Sequence, residues 1–160
     1  MGLAEVSSIL WRERELLELL LFKLEEEQLV LASGRTRWLA HAAREVETIL
    51  EQVRRTELLR AVEVDAVAAE LGLPPSPTLE ELADATDEPW RTLLREHRAT
   101  FLAATAEITA LAEANRDLLT AGYRAARETL LSLSDGATTY SPTGESVAAG
   151  RRPRLVDRTV

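Results

Sequence analysis

The 160-residue chain contains no cysteine, and aromatic residues make up only 4% of it. Without a thiol, neither a disulfide framework nor a thiolate metal site can form. With so few rings, the core has to be built mainly from leucine, alanine and valine, within an apolar fraction of 46%. A composition rich in Ala, Leu, Glu and Arg is typical of long helices and coiled coils.

Long apolar runs and an excess of positive charge are also lacking. Runs such as Leu19–Phe22 are far shorter than the roughly 20 residues that span a bilayer. The net charge of −8 argues against nucleic acid or an anionic membrane as the main partner. The first ten residues include Glu5 and lack the basic region of a signal peptide. We therefore expect a cytoplasmic protein with no stable membrane insertion and no nucleic-acid partner.

The apolar periodicity is helical throughout the first five-sixths of the chain. A heptad spacing of leucines opens the sequence, Ser33-Gly34 marks a turn, and the Pro-rich stretch at 72–77 is a stop signal. Thr78 and Glu81 form a capping-box pattern that predicts a short helix. The sequence therefore predicts an all-α, antiparallel bundle or coiled coil of three long helices in a domain over residues 1–134. The predicted helices cover about residues 3–32, 36–71, 78–85 and 88–133.

Residues 135–160 have a different character. Ordering these 26 residues would cost roughly 1–2 kcal/mol each in backbone entropy. Tyr140 and four aliphatic side chains, at about 1.5–3 kcal/mol each if buried, cannot offset that cost. We therefore predict a disordered C-terminal tail.

The third long helix is predicted to be longer than the first, so its last turns extend past the turn between the first two helices. Its apolar face is bulky before Leu111 and narrows at Gly122 and Ala126. Asn115 interrupts this face and has two interpretations. It either fixes the register between packed helices or bonds the backbone of a bound segment.

Residues that could perform chemistry are few. His41 and Glu45 are one helical turn apart, but no further ligands converge on them, so we expect a structural or surface histidine and no metal site. His97 lies on the apolar face of the third long helix, which indicates a hydrogen-bonded interior position. Since neither a phosphate loop nor a nucleophile motif is present, we expect no catalytic residues, no cofactor and no enzymatic activity.

Four segments, taken in order, resemble one known family. They are LEEEQLVLASG at 24–34, ILEQVRR at 49–55, ANRDLLTAGYRAARETLLSL at 114–133 and TTYSPTGES at 138–146. Their order and spacing are similar to those of the FlgN family of flagellar type III export chaperones. The third segment resembles that family's Asn-x-x-Leu-Leu stretch, and the last resembles its Thr-x-Tyr-x-x-x-Gly signature.

The resemblance implies a cytosolic chaperone without catalytic activity. It would hold the terminal helical segments of hook–filament junction proteins, prevent premature assembly and deliver them to the cytoplasmic domain of the export gate. Tyr140 and Gly144 would bind the gate. The expected client-binding residues lie on one face of the third long helix: Leu111, Asn115, Leu118, Leu119, Gly122, Ala126, Leu130 and Leu133.

A second interpretation is a structural coiled-coil protein that forms homo-oligomers and has no secretion client. The same apolar face would then pair two copies of the chain. A homodimer is also compatible with the chaperone interpretation.

Overall fold

A computed structural model describes residues 2–139, and the side-chain surroundings within it are described for residues 2–136. This part of the chain is helical and contains no strand. The predicted all-α class built on long helices is confirmed. The elements are α1 (Leu3–Ser33), a 3₁₀ turn (Thr36–Trp38), α2 (Leu39–Glu70), α3 (Leu79–Asp84) and α4 (Trp90–Thr139).

The chain divides into two compact units, Met1–Leu119 and Thr120–Val160. The first contains α1, α2, α3 and the N-terminal part of α4. The second contains the C-terminal part of α4, and the structure describes it as far as residue 139.

Local signals set the limits of the first helices. Gly34 takes a left-handed conformation with φ of 69°, which glycine adopts without steric cost, and its N–H donates to Leu31 O at 3.3 Å. At the start of α3, Thr78 Oγ1 accepts a hydrogen bond from Glu81 N, while the Glu81 carboxylate accepts one from Thr78 N. The predicted capping box is therefore present.

Apolar side chains from all four helices form the core of the first unit in two clusters. One joins Val6 and Leu10 of α1 to Val64 and Val67 of α2, together with Leu94 of α4. Two side chains of α3 complete it, since Leu82 and Ala83 are fully buried there.

The second cluster lies further along α1 and fixes the helix directions. Leu16, Leu20 and Leu24 pack with Val46, Ile49 and Val53 of α2, and Ile108 and Leu111 of α4 pack against them. Later residues of α1 thus meet earlier residues of α2 and later residues of α4. Within this unit α2 is antiparallel to both α1 and α4, which is the predicted arrangement of consecutive long helices.

α4 continues beyond its predicted end at Leu133, because residues 134–139 are helical. This corrects the predicted start of the tail at Asp135. Gly136 does not end the helix, because one glycine in a helix interior costs only about 1 kcal/mol relative to alanine. No proline follows until Pro142. The predicted disorder of residues 140–160 lies outside the described residues.

Candidate functional site

The C-terminal part of α4 carries a stripe of apolar and small residues with no covering partner among residues 120–136. Its first two members precede the third by four and three positions, and the later members follow at intervals of four and three, which places them on one face of a helix. We call this set the C-terminal apolar stripe; it consists of Gly122, Tyr123, Ala126, Leu130 and Leu133.

The large side chains of the stripe are open to solvent. Tyr123, Leu130 and Leu133 are 69%, 68% and 66% exposed. A Cβ atom added to Gly122, or to Gly136 at the far end of the segment, would meet no atom within 4 Å other than those of its chain neighbours and its own helix backbone. Single exposed apolar residues scattered over a protein surface are ordinary. Several large ones aligned on one helix face indicate a protein-binding surface instead.

The charges of this segment lie beside and opposite the stripe. Arg124, Arg127, Glu128 and Asp135 are its ionisable residues apart from Tyr123, so positive and negative charges balance between 120 and 139. The residues before 120 hold a net charge of −10. A balanced, sparsely charged surface relies on apolar contact for binding rather than on electrostatic steering.

Two of the predicted client-binding residues pack within the first unit, Asn115 buried and Leu111 partly buried. Asn115 is 3% exposed, and its Nδ2 donates to Leu24 O at 2.9 Å and to Glu27 Oε1 at 3.1 Å. Leu111 packs against the second core cluster. Asn115 thus joins α4 to α1, Leu111 lies against the core cluster of α1 and α2, and the client-binding assignment of both residues stays a prediction. Of the two interpretations of Asn115, the geometry favours the one that fixes helix register.

The remaining predicted residues are accessible. Leu118 and Leu119 are exposed at the end of the first unit. Gly122, Ala126, Leu130 and Leu133 are exposed in the second. Tyr140 and Gly144, predicted to bind the gate, lie outside the described residues.

Sequence reasoning missed Tyr123. It follows Leu119 by four positions and precedes Ala126 by three, so the helical spacing places it on the stripe. The apolar face predicted from the sequence narrowed to Gly122 and Ala126 and did not include Tyr123. It is the one aromatic side chain among residues 120–136, and tyrosine offers a large contact area at low rotamer entropy.

The first unit contains a second concave surface, between α2 and α4. It has a volume of about 380 Å³ and includes Phe101 and Leu102 of α4. Its arginines are engaged within the chain, since Arg60 pairs with Glu13 at 2.9 Å and Arg98 with Glu80 at 3.2 Å. Both guanidinium groups of this surface are therefore engaged in ion pairs within the chain.

Two buried ionisable residues beside this surface are also structural. Burial raises the pKa of the Glu13 carboxyl, and the neighbouring Arg60 guanidinium only partly opposes that shift. Burial lowers the pKa of the His97 imidazole, and the positive charge of Arg14 acts in the same direction. His97 is fully buried between Trp11 and Phe101, with Arg14 Nη1 3.5 Å from its Nδ1. The predicted interior position of His97 is confirmed.

Residues 2–139 contain neither a metal-ligand cluster nor a membrane-spanning helix. His41 Nε2 lies 3.4 Å from Glu45 Oε1 on the surface of α2. Among residues 2–139, His, Asp and Glu side chains do not gather in groups of three or more around a point that could hold a metal ion. Within the same residues no helix combines the length and the apolar character needed to cross a membrane.

Comparison with known proteins identifies a family. No curated protein and no solved structure matches the chain. The family described as FlgN protein matches residues 1–148, which include both compact units as far as the structure describes them and the segment with Tyr140 and Gly144. The chain therefore belongs to the FlgN family of flagellar export chaperones.

Proposed function

We propose that this protein is a cytoplasmic chaperone for hook–filament junction proteins and binds their terminal helical segments through the C-terminal apolar stripe. The observation that carries the proposal is the exposure of Tyr123, Leu130 and Leu133 on one helix face in a member of this family. A client helix that polymerises elsewhere needs its apolar face hidden beforehand, and pairing with another apolar helix face hides it.

The energetics suit a chaperone that has to release its client. Burying a leucine or tyrosine side chain contributes about 1.5–3 kcal/mol, and the stripe offers three large side chains. Association costs several kcal/mol in lost translational and rotational freedom, together with side-chain ordering. The surplus corresponds to moderate affinity, which lets the export machinery take the client over.

Delivery to the export gate is the second part of the proposal. Tyr140 and Gly144 occupy the positions of the family's tyrosine–glycine signature, and the family match includes both residues. We assign them to gate binding, with Tyr140 as the aromatic anchor.

The alternative is a structural coiled-coil protein without a client, which the three- and four-residue spacing of the stripe also permits. Light scattering separates the two proposals. A chaperone mixed with the terminal helical segment of a junction protein forms a one-to-one complex, whereas a structural homo-oligomer keeps its own mass.

A tryptophan in the stripe tests the client surface. We expect Gly122→Trp to weaken binding of the terminal helical segment at least ten-fold in isothermal titration, because the indole prevents close approach of a helix at a position with free space around it. The matched control is Ala121→Trp, which adds the same side chain on the opposite face of the helix. Both variants should keep wild-type helicity by circular dichroism. Equal affinity for the two variants would contradict the assignment.

A further inference from the structure

The turn between α1 and α2 carries a charge opposite to that of the rest of the first unit. Residues 28–44 contain three arginines and one histidine and neither Asp nor Glu, although the chain has 27 acidic residues. These 17 positions are the longest stretch of the sequence without an acidic residue. The positive charge is therefore concentrated at one place in a protein whose net charge is −8.

The arginines of this stretch are not neutralised by the acidic residues beside it. Within the described side chains, no carboxylate forms an ion pair with the three of them, Arg35, Arg37 and Arg44. The flanking carboxylates are engaged with other helices. Glu27 accepts a hydrogen bond from Asn115, and Glu45 accepts one from Lys23, each at 3.1 Å. The positive charge of the turn is thus left open to a partner.

An apolar concavity lies next to these charges. It has a volume of about 500 Å³, and its two large apolar side chains, Leu29 and Trp38, are 71% and 51% exposed. We call the lining of this concavity the turn surface; it consists of Leu29, Val30, Ser33, Arg35 and Trp38. An exposed apolar area bordered by charged groups is typical of an interaction site.

The stability of the two helices does not account for this combination of residues. A positive charge is favourable after the C-terminus of α1, but the same charge is unfavourable just before the N-terminus of α2. Trp38 belongs to neither core cluster, and the Arg37 guanidinium lies over its ring at 4.8 Å. Residues that neither build the core nor stabilise the helix ends are available for binding.

Hydrogen bonds hold the turn in one conformation. Ser33 Oγ donates to Val30 O at 2.8 Å and accepts from Arg35 N at 3.3 Å. Trp38 N donates to Arg35 O at 3.3 Å. A partner that binds such a preformed surface does not have to order the backbone first, which lowers the cost of association.

We propose that the turn surface binds an acidic, amphipathic segment of another protein. A large apolar side chain of that segment enters the concavity against Leu29 and Trp38. Carboxylates on either side of it pair with Arg35 and Arg37, because the planar guanidinium matches a carboxylate with two parallel hydrogen bonds. This surface goes beyond the proposed function, since its residues are distinct from the C-terminal apolar stripe.

A protein segment fits this surface better than an anionic membrane does. The apolar part of the turn surface is concave, and a bilayer has no side chain to place in a concavity. The net charge of −8 also opposes approach to an anionic bilayer. A short segment can instead pair with the local positive charge, because charges more than about 8–10 Å away are screened at physiological salt.

A random peptide library displayed on phage and selected on the full-length protein tests the chemistry of the partner. We expect the enriched peptides to carry Asp or Glu on both sides of a leucine or an aromatic residue. Synthetic copies of these peptides should bind Arg35→Glu and Trp38→Ala at least ten-fold more weakly than the wild type in fluorescence anisotropy. Circular dichroism establishes that both variants keep their helicity.

The matched control for charge reversal is Arg55→Glu. It makes the same change in net charge at a side chain of α2 that is 73% exposed and lies outside the turn. This variant should bind the peptides as the wild type does. Selection without acidic peptides, or acidic peptides that bind the turn variants and the wild type equally, would overturn the proposal.

Vesicles of phosphatidylglycerol and phosphatidylcholine test the membrane as the partner. We expect the wild type not to sediment with them. If the wild type sediments with the vesicles, Arg35→Glu does not, and no acidic peptide is selected, the turn surface binds lipid and the proposal is wrong.

The terminal helical segment of a junction protein tests whether the two surfaces act separately. Arg35→Glu and Trp38→Ala should bind this segment with wild-type affinity in isothermal titration. A ten-fold loss in both variants would make the turn part of the client site and would overturn its separate role. Wild-type protein that fails to bind the segment would contradict the proposed function instead, while the peptide selection would still decide the role of the turn.

Discussion

Three of the buried polar residues of the first unit, Glu13, His97 and Asn115, reach across to another helix. Each contacts another helix, because Glu13 pairs with Arg60 of α2, His97 lies against Arg14 of α1, and Asn115 bonds to α1. A buried polar group costs free energy unless it is hydrogen-bonded, so each of these contacts penalises a displaced helix. They fix the register of an apolar interface that leucine and alanine alone would leave free to slide.

Replacing Asn115 by aspartate should destabilise the first unit. The new carboxylate would face Leu24 O and the Glu27 carboxylate. All three groups accept hydrogen bonds, and none of them could donate one. We expect a loss of about 2–3 kcal/mol in the free energy of unfolding, measured by urea denaturation at neutral pH. Adding Glu27→Gln, whose amide can donate, should restore part of the loss. An Asn115→Asp variant as stable as the wild type would contradict this account.

His97 should make stability depend on pH. Because its pKa is lowered in the folded state, folding favours the neutral ring. The contribution of His97 is therefore complete above the unfolded pKa of about 6.5 and is lost as the pH falls through the folded pKa. Urea unfolding between pH 8 and pH 5 should show decreasing stability toward the acid end. His97→Phe, which keeps a ring between Trp11 and Phe101 but cannot titrate, should flatten that decrease. If the free energy of unfolding falls equally with pH in the wild type and in His97→Phe, then His97 is not the group responsible.

At the scale of elements, α3 is the smallest helix and depends on its cap. It has six residues, too few to be stable alone, and it contributes Leu82 and Ala83 to the first core cluster. We expect Thr78→Ala to lower the free energy of unfolding by about 1 kcal/mol, because Glu81 N loses its acceptor.

Thr78→Ser provides the matched control for the cap, since serine retains the hydroxyl and should keep most of the stability. Urea denaturation of the three proteins under one condition checks the difference. If the alanine and serine variants unfold together, the cap does not stabilise α3.

At the scale of the whole molecule, the bundle, the stripe and the tyrosine–glycine signature follow one another along the chain. Buried polar contacts hold the bundle together, while the stripe exposes its large side chains. The signature segment begins at Thr138, within the last turn of α4, and Tyr140 directly follows the last residue of that helix in sequence. A partner that contacts both a client on the stripe and this segment gains affinity from two linked interactions. Under the proposed function, this order lets the gate distinguish a loaded chaperone from an empty one.

Tyr140→Ala tests that division of roles. We expect unchanged helicity and unchanged affinity for the client segment, together with weaker binding to the cytoplasmic domain of the gate and reduced secretion of the client. The measurement is client secretion in cells that produce the variant at the normal level, and Thr139→Ala at the neighbouring position is the control. Wild-type secretion by the Tyr140→Ala cells would show that another residue binds the gate.

The sequence by itself determined the number and order of the helices, the cap of α3, the two turns and the family. These follow from local features, since the helical period, glycine, proline and capping residues act within a few positions. The predicted end of the last helix at residue 133 was too early: Gly136 lies inside α4, because a lone glycine does not outweigh its helix-forming neighbours.

Only the tertiary structure decided which parts of the third long helix are covered. Leu111 and Leu130 lie on the same predicted apolar face, yet one packs against the core and the other is exposed. His97 and Asn115 meet residues of α1 that are 83 and 91 positions away, and no local pattern identifies such partners. The exposure of an apolar residue depends on what lies across from it. For α4 the packing of the bundle therefore separates the residues that hold the fold together from those available to a partner.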